Sequence, residues 1–369
     1  MKQDNINKII KYSGIAISVF VFALLVWKFT FIFWNIIAAA VISFIGAPLV
    51  NLFKKIKIRK FQCPTWLAAA IALTFIGLIV VSLFAIFVPI IIQQANVVAS
   101  IDFGQVRTFI EDPVTAFLHD YNILDKDETI ISFIETWFKD FVGFASLSHI
   151  ATNFVGKLGK VFIGVFSTVF ISFFFLKDDT LFKKMIMVFV SEKYSTKVEH
   201  AISNSKRFLS RYFIGIVCEI LIMLTLESIG MFAIGVKGAL LIGVVGGFCN
   251  MIPYVGPIIG ATFGVLVGSL HLISIGAYDH ILMQAILIIA VFAVCNLIDN
   301  IFLQPTIYSN SVNAHPLEIF IVLLVFGSFG GILGMFLAVP GYTVLKVIAK
   351  EFLTKLEIAR KWTSKLEME

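Results

Sequence analysis

Long apolar runs, separated by short clusters of charge, divide this chain from end to end. A helix that crosses a bilayer needs about 20 mainly apolar residues. On that measure the runs fall at Tyr12–Trp27, Phe29–Phe53, Pro64–Ile92, Val161–Leu176, Tyr212–Val236, Gly238–Leu270, Ile281–Leu303 and Leu317–Val347. The pattern predicts an all-α, polytopic membrane bundle of about eight helices. Two of the runs, the sixth and the last, are interrupted by Gly and Pro, and each either crosses or doubles back as a hairpin.

Two stretches are not spans. Residues 93–158 read as an external helical segment, in which Thr129 caps a helix burying Ile130, Ile134, Trp137, Phe138 and Phe141. Residues 177–211 read as an amphipathic segment with Val198, Ile202 and Phe208/Leu209 on one stripe. It either lies at the membrane interface or packs against the protein. Residues 1–92 then form the first three membrane helices, 159–176 the fourth, 212–347 a membrane transport core, and 348–369 a tail.

Charge sets the orientation. Lys54, Lys55, Lys57, Arg59 and Lys60 follow the second run, and residues 177–211 hold eight basic against four acidic side chains. The C-terminal end adds Lys346, Lys350, Lys355, Arg360, Lys361 and Lys365, whereas 93–158 is acidic. Short Lys/Arg-rich loops stay in the cytoplasm. The expectation is a multi-pass protein of the cytoplasmic (inner) membrane with both termini inside. The first run, preceded by Lys2, Lys8 and Lys11, is read as a retained span because no small-x-small cleavage site follows it.

Composition agrees. Apolar residues make up 59% and charged residues 14%, with 39 phenylalanines and a mean hydropathy of +0.97. Soluble domains carry about 25% charged residues. The net charge of +6 could suggest nucleic acid, but it sits in loops between spans, so no nucleic-acid partner is expected. Cys63, Cys218, Cys249 and Cys295 show no CxxC spacing and read as small apolar residues. Neither a metal nor another cofactor is expected.

The most informative stretch runs Asn250-Met-Ile-Pro-Tyr-Val-Gly-Pro-Ile-Ile-Gly260. Pro253 and Pro257 each remove a backbone donor, and with Gly256 they should break the sixth run near its middle. Gly256, Gly260, Gly264 and Gly268 then recur every four residues, a smooth stripe for a close helix or a solute. The last run repeats the theme with Gly327, Gly330, Gly331 and Gly334 before Pro340-Gly341. Paired Gly/Pro-broken apolar segments point to a transporter site, and tight packing is the competing reading. On the seventh run Asn296, Asp299, Asn300 and Gln304 step by three or four and share a helix face. Glu219 and Glu227 are further acids in the fifth run, either a candidate proton or cation path or groups held neutral or paired with Arg211 or Lys237. Pro305 and Pro316 bracket a turn-rich linker containing His315, which is either a titrating group or a hydrogen-bonding loop residue.

Taken together, Ile252-Pro-Tyr-Val-Gly-Pro-Ile-Ile-Gly, Asp299-Asn300, Pro305, His315-Pro316, the Gly-rich run and Ala338-Val-Pro340 resemble the signature of the autoinducer-2 exporter family, the PerM-like permeases. The resemblance covers the chain, with one departure: Gly215-Ile216 stands where many members show Gly-Gln. It implies export of a small hydrophilic molecule such as the quorum-sensing signal autoinducer-2, or sodium(lithium)/proton antiport. It also implies a homo-oligomer in which one domain moves against a scaffold.

A competing class is a non-transporting membrane assembly or envelope factor that docks through residues 93–158. An enzyme is not expected, since no Gly-x-Ser-Gly turn, His-Glu-x-x-His pair or Walker loop is present. The expected site comprises Pro253, Gly256, Pro257, Gly260, Asn296, Asp299, Asn300, Gln304, Pro305, His315, Gly330, Gly331 and Gly334, with Glu219 and Glu227 beside it.

Overall fold

In hydrocarbon every backbone N–H and C=O must be satisfied inside the chain, so apolar runs of this length become helices. The computed structural model describes residues 28–55, 57–58, 61–99, 147–305 and 315–353. The first run, the Thr129 helix and nearly all of the basic tail lie outside the described residues. The helices are α1 (Thr30–Lys55), α2 (Thr65–Ala99), α3 (Leu147–Lys177), α4 (Leu181–Met187), α5 (Glu192–Ala233), α6 (Ala239–Cys249), α7 (Val255–Ser274), α8 (Ile281–Ile298) and α9 (Pro316–Phe352). A two-residue ladder, β1 (Lys57–Ile58) with β2 (Phe61–Gln62), closes the turn between α1 and α2. Among the described residues seven helices are long and apolar enough to cross a membrane, and α6 is a shorter apolar one. The chain is a multi-pass helical membrane protein.

It divides into two compact units, Met1–Ile76 with Lys157–Met185, and Gly77–Gly156 with Ile186–Glu369. In the first unit, Gly164 faces Phe31, Thr168 Oγ1 donates to Asn35 Oδ1 at 3.1 Å and Ser172 Oγ donates to the Ala39 carbonyl at 3.4 Å. A constant offset over about two turns means that α1 and α3 run parallel. Val50, Ala68, Ala69, Ala72 and Leu176 form the core there, with small residues letting helices approach closely. Just past α3, Asp178 accepts from Thr180 Oγ1, Lys184 Nζ and the Thr180 amide, which hold its carboxyl down at about 2.

The second unit is organised by α5. Its 42 residues reach about 63 Å, twice the thickness of a bilayer core. The stretch 192–211 is therefore the first half of the fifth span's helix instead of a separate segment. No Pro or Gly interrupts the join, and Ala201 and Phe208 pack on Val347 of α9. The amphipathic stripe thus covers protein here.

Both interrupted runs double back. In the sixth, Gly256 meets the backbone of Cys249, Gly260 meets Gly246 and Gly264 meets Ile242. The residue numbers rise on one side as they fall on the other, so α6 and α7 are antiparallel limbs of a hairpin. In the last run, Gly334 meets the Phe326 carbonyl, Gly327 meets Met335, and Tyr342 Oη donates to Glu318 Oε2 at 2.5 Å. A straight helix would separate residues 318 and 342 by about 36 Å. The chain turns at Gly331 (φ 57°, ψ −140°), and limbs 316–330 and 332–352 lie side by side. The 11 residues of α6 span about 16 Å, and limb 316–330 about 22 Å, short of a bilayer core of about 30 Å. Each hairpin therefore returns the chain to the face it entered from.

Candidate functional site

Glycine places α6 against α5. A Cβ on Gly243 would strike Ser228, one on Gly247 would strike the backbone of Leu224, and one on Gly246 would overlap the Glu227 carboxyl. Numbers again run oppositely, so α6 descends along the C-terminal half of α5 and delivers the hairpin tip to the level of Glu219. There Asn250 Nδ2 donates to Glu219 Oε1 at 3.3 Å, and both side chains are buried. The limb from 332 packs lower on the same helix, Val347 on Phe208 and Phe336 beside Phe213. The two hairpins thus enter from opposite ends of α5. Where they converge, Ile252 of the first tip packs on Leu323 and Ala338 of the second hairpin.

The third wall is α8. Phe292 covers Gly246, Gly260 and Gly264, and Ile288 covers Gly268. The stripe of glycines is thereby filled by protein from two sides. At its end α8 widens into a π-helical turn, Asp299–Leu303, closed by the Gln304 amide donating to the Asp299 carbonyl. The side chains repeat the spacing: Gln304 Nε2 donates to Asp299 Oδ2 at 2.7 Å. Single π turns inside α-helices recur at functional sites.

Asp299 is fully buried, next to Glu219 and Asn250 and within the electrostatic reach of Glu227. One oxygen of each carboxyl, Glu219 Oε2, Glu227 Oε2 and Asp299 Oδ1, has no hydrogen-bond partner, and neither does Ser228 Oγ. Burying a carboxylate costs several kcal/mol unless it is paired. Among the described residues no group of three or more His, Cys, Asp or Glu is placed to hold a metal. What the arrangement can hold is a proton, or a monovalent cation between neighbouring carboxyls, since either removes the mutual repulsion of buried like charges.

The expected residues separate. Asp299, Gln304 and Glu219 come together, while Glu227 lies about two turns further along α5, against Gly246 and within electrostatic reach of Asp299. Asn300 lies on the exposed side, where its Nδ2 donates to Asn296 Oδ1 at 3.1 Å. Asn300 is one α-turn from Asn296 and about 100° round from Asp299, and the π turn brings Gln304 to the side of Asp299 instead of to theirs. Pro253 is buried in the first tip, and Gly256 and Gly260 seat the two limbs on each other. Pro257 sits in the first turn of α7, where its missing N–H costs nothing, and the chain turns instead at Tyr254 (φ 65°). Pro305 is exposed. His315 is the N-cap of α9, its Nδ1 accepting from the Leu317 amide at 3.2 Å. Gly330, Gly331 and Gly334 form the second turn and its first limb contact. Asn250 was not among the expected residues. Its signal is positional: a polar side chain immediately before a Pro-broken tip.

Comparisons with known proteins fit this architecture. The chain is 30% identical over 341 residues to YueF of Bacillus subtilis (strain 168), a candidate transport protein, covering 89% of this chain and 86% of that one. YrrI of the same organism, also named a candidate transport protein, is 32% identical over 184 residues, half of each chain. MJ1177 of Methanocaldococcus jannaschii is 21% identical over 295 residues, 76% of this chain and 78% of that one, and carries the same kind of name. With opposed hairpins, a buried acid cluster between them and residues 15–354 matching the family described as "AI-2E family transporter", the chain belongs to that family of membrane transporters.

Proposed function

We propose that this protein is a cation-coupled secondary transporter of the cytoplasmic membrane that exports a small hydrophilic molecule of the autoinducer-2 type. The observation that carries the reading is the pair Glu219 and Asp299 where two opposed hairpins converge, with Glu227 about two turns along α5, each fully buried with an unpartnered carboxyl oxygen. Buried ionisable groups inside a membrane bundle are expensive and mark ion or substrate paths. Asp299 takes up the coupling proton or cation, with Gln304 fixing its second oxygen, and Asn250 reports its occupancy to the first hairpin through Glu219. The solute binds near the tip formed by Asn250 and Pro253. Both termini face the cytoplasm, on the side of the Lys-rich segments. Family membership supports assembly as a homo-oligomer.

A second reading is sodium(lithium)/proton antiport with no organic solute. It is favoured by the same carboxyls, of which Glu227 lies against Gly246 inside the first hairpin's packed limb. Reconstituted liposomes decide between the two. Internal pH is followed on addition of sodium or lithium, together with release of preloaded autoinducer-2. Asp299→Asn is expected to abolish coupling while the protein remains folded. Full transport by Asp299→Asn would remove the coupling role, and a cation-driven pH change without solute release would favour antiport.

A further inference from the structure

Two stretches of the second unit contain the same parts in the same order. Helix α5 carries Glu219 and leads into the hairpin of α6 and α7. Helix α8 with its π turn carries Asp299 and leads into the hairpin of α9. In both hairpins a short limb precedes a longer one. Glu219 lies 31 positions before Asn250, and Asp299 lies 29 before Ser328. Six positions beyond Asn250 stands Gly256, and six beyond Ser328 stands Gly334. These two glycines do the same job, each pressed against a carbonyl of the opposite limb, Cys249 in one case and Phe326 in the other. Just before each glycine the chain turns through a positive φ, at Tyr254 and at Gly331.

The two stretches run in opposite senses. Gly230 of α5 meets Val291 of α8, and Glu219 neighbours Asp299, so the leading helices are antiparallel. Their hairpins enter from opposite ends, as the packing on α5 shows.

We infer that α5–α7 and α8–α9 are inverted-topology repeats, and that Ser328 is the counterpart of Asn250, a second site residue that binds Asp299 when the α9 hairpin closes. The inference rests on the reading of Asp299 as part of the transport site. In the present structure only the first tip is engaged. Asn250 is 2% exposed and bonded to Glu219, whereas Ser328 is exposed with its hydroxyl turned back to the Val325 carbonyl at 2.7 Å. Phe329 beside it is 89% exposed. Inverted repeats give a transporter its second state when the halves exchange conformations around a fixed midplane site. That exchange releases Asn250 from Glu219 and brings Ser328 to the orphaned Asp299 Oδ1. A hydroxyl can donate one hydrogen bond there, and Gly330 and Gly331 let the backbone come close.

The test is sidedness. In oriented liposomes, with sodium or lithium as the probe, Ser328→Ala should raise the half-saturating cation concentration about tenfold from the side where the first hairpin enters. From the other side the change should be about twofold at most. Asn250→Ala should show the reverse asymmetry, and Ser328→Asn should restore the response. In a cysteine-free background, oxidation should link Ser328→Cys to Asp299→Cys as it links Asn250→Cys to Glu219→Cys. Ser328→Ala with an equal effect from both sides, or none, would overturn the repeat while loss of coupling in Asp299→Asn keeps the transport site. A link in the first pair without one in the second would do the same, and this decides the matter if Ser328→Ala fails to fold. Full coupling in Asp299→Asn would instead defeat the underlying site.

Discussion

The two hairpins share a shape and differ in chemistry. The first turns through Ile252-Pro-Tyr at a residue with a side chain, and its tip carries Asn250, buried and bonded to Glu219. The second turns through Gly330-Gly331, and its tip presents Phe329, Ile332 and Leu333 to the outside. The first hairpin is walled in by α5 and α8, with glycine at every crossing. The second touches α5 through its returning limb, at Phe336 and Val347, and Leu317, Ile321, Leu324 and Val325 of its first limb are exposed. One hairpin is walled along both limbs, and the other is walled along its returning limb and bare along much of its first. The two hairpins of one unit thus differ in how much of their length the protein covers.

Substitutions at the matching glycines should break this comparison most strongly. Gly256→Val and Gly334→Val each place atoms on a backbone carbonyl of the facing limb, and neither carbonyl can move without opening its hairpin. Overpacking costs about 1–3 kcal/mol and sometimes more. The first variant should be the worse, at about 3 kcal/mol or beyond, because α5 and α8 block the limbs from separating. Thermal unfolding of the purified protein, followed by monodispersity after heating, ranks them. Equal losses would mean that the second hairpin is as tightly walled as the first.

Next in size is Asn250→Ala. It strands Glu219 Oε1, whose sibling oxygen already lacks a partner, at a cost of about 1–3 kcal/mol. Ser328→Ala removes a hydroxyl that bonds only one turn back, and should leave the melting temperature nearly unchanged. A large loss from Ser328→Ala would show the second tip to be anchored in the resting state too.

Much of this was legible in the sequence, and the limits have physical reasons. Apolar length locates the described spans, because a bilayer leaves helices as the form such runs can take. Pro253 and the Gly330-Gly331 pair mark both breaks. The sense of each break was not legible, since a kinked crossing and a hairpin carry the same residues. Direction is decided by long-range contacts such as Gly260 on Gly246 and Tyr342 on Glu318. The site was half legible. Glu219, Glu227 and Asp299 stand out as acids in apolar runs, but their convergence depends on helices that a linear reading cannot align. Consecutive residues stand about 100° apart on a helix, so Asn300 points away from Asp299, and the π turn is what brings Gln304 back onto Asp299.

The turns themselves should respond unequally. Gly331 sits at φ 57° and ψ −140°, a combination unfavourable for a residue with a Cβ, so Gly331→Ala should cost about 1–3 kcal/mol. Tyr254 already carries a side chain at φ 65° and is partly exposed, so Tyr254→Gly relieves strain at the expense of modest packing. Its net effect should lie within about 1 kcal/mol of zero. Denaturation midpoints of the pair test this directly. Loss of stability in Tyr254→Gly comparable to that in Gly331→Ala would show that the aromatic ring, and not the backbone, fixes the first turn.

The smallest effect should come from Tyr342→Phe, which isolates one bond of the second hairpin. Tyr342 Oη donates to Glu318 Oε2 at 2.5 Å across the two limbs, while its ring also lies under the Lys346 ammonium, 5.6 Å from the centroid. Phenylalanine keeps the ring and the cation contact and removes only the donor. A net hydrogen bond to a charged acceptor is worth about 1.5–3 kcal/mol, and partial exposure should bring this one to about 1 kcal/mol. The consequence should be local: faster amide hydrogen exchange in residues 316–322 and no change in α6 or α7. Glu318→Gln, which keeps an acceptor oxygen, should give a smaller change at the same amides. Exchange that is unaltered by Tyr342→Phe would mean that the limbs are closed by the glycine contacts near Gly327 and Gly334 alone, and the second hairpin would then be pinned at its tip and free at its mouth.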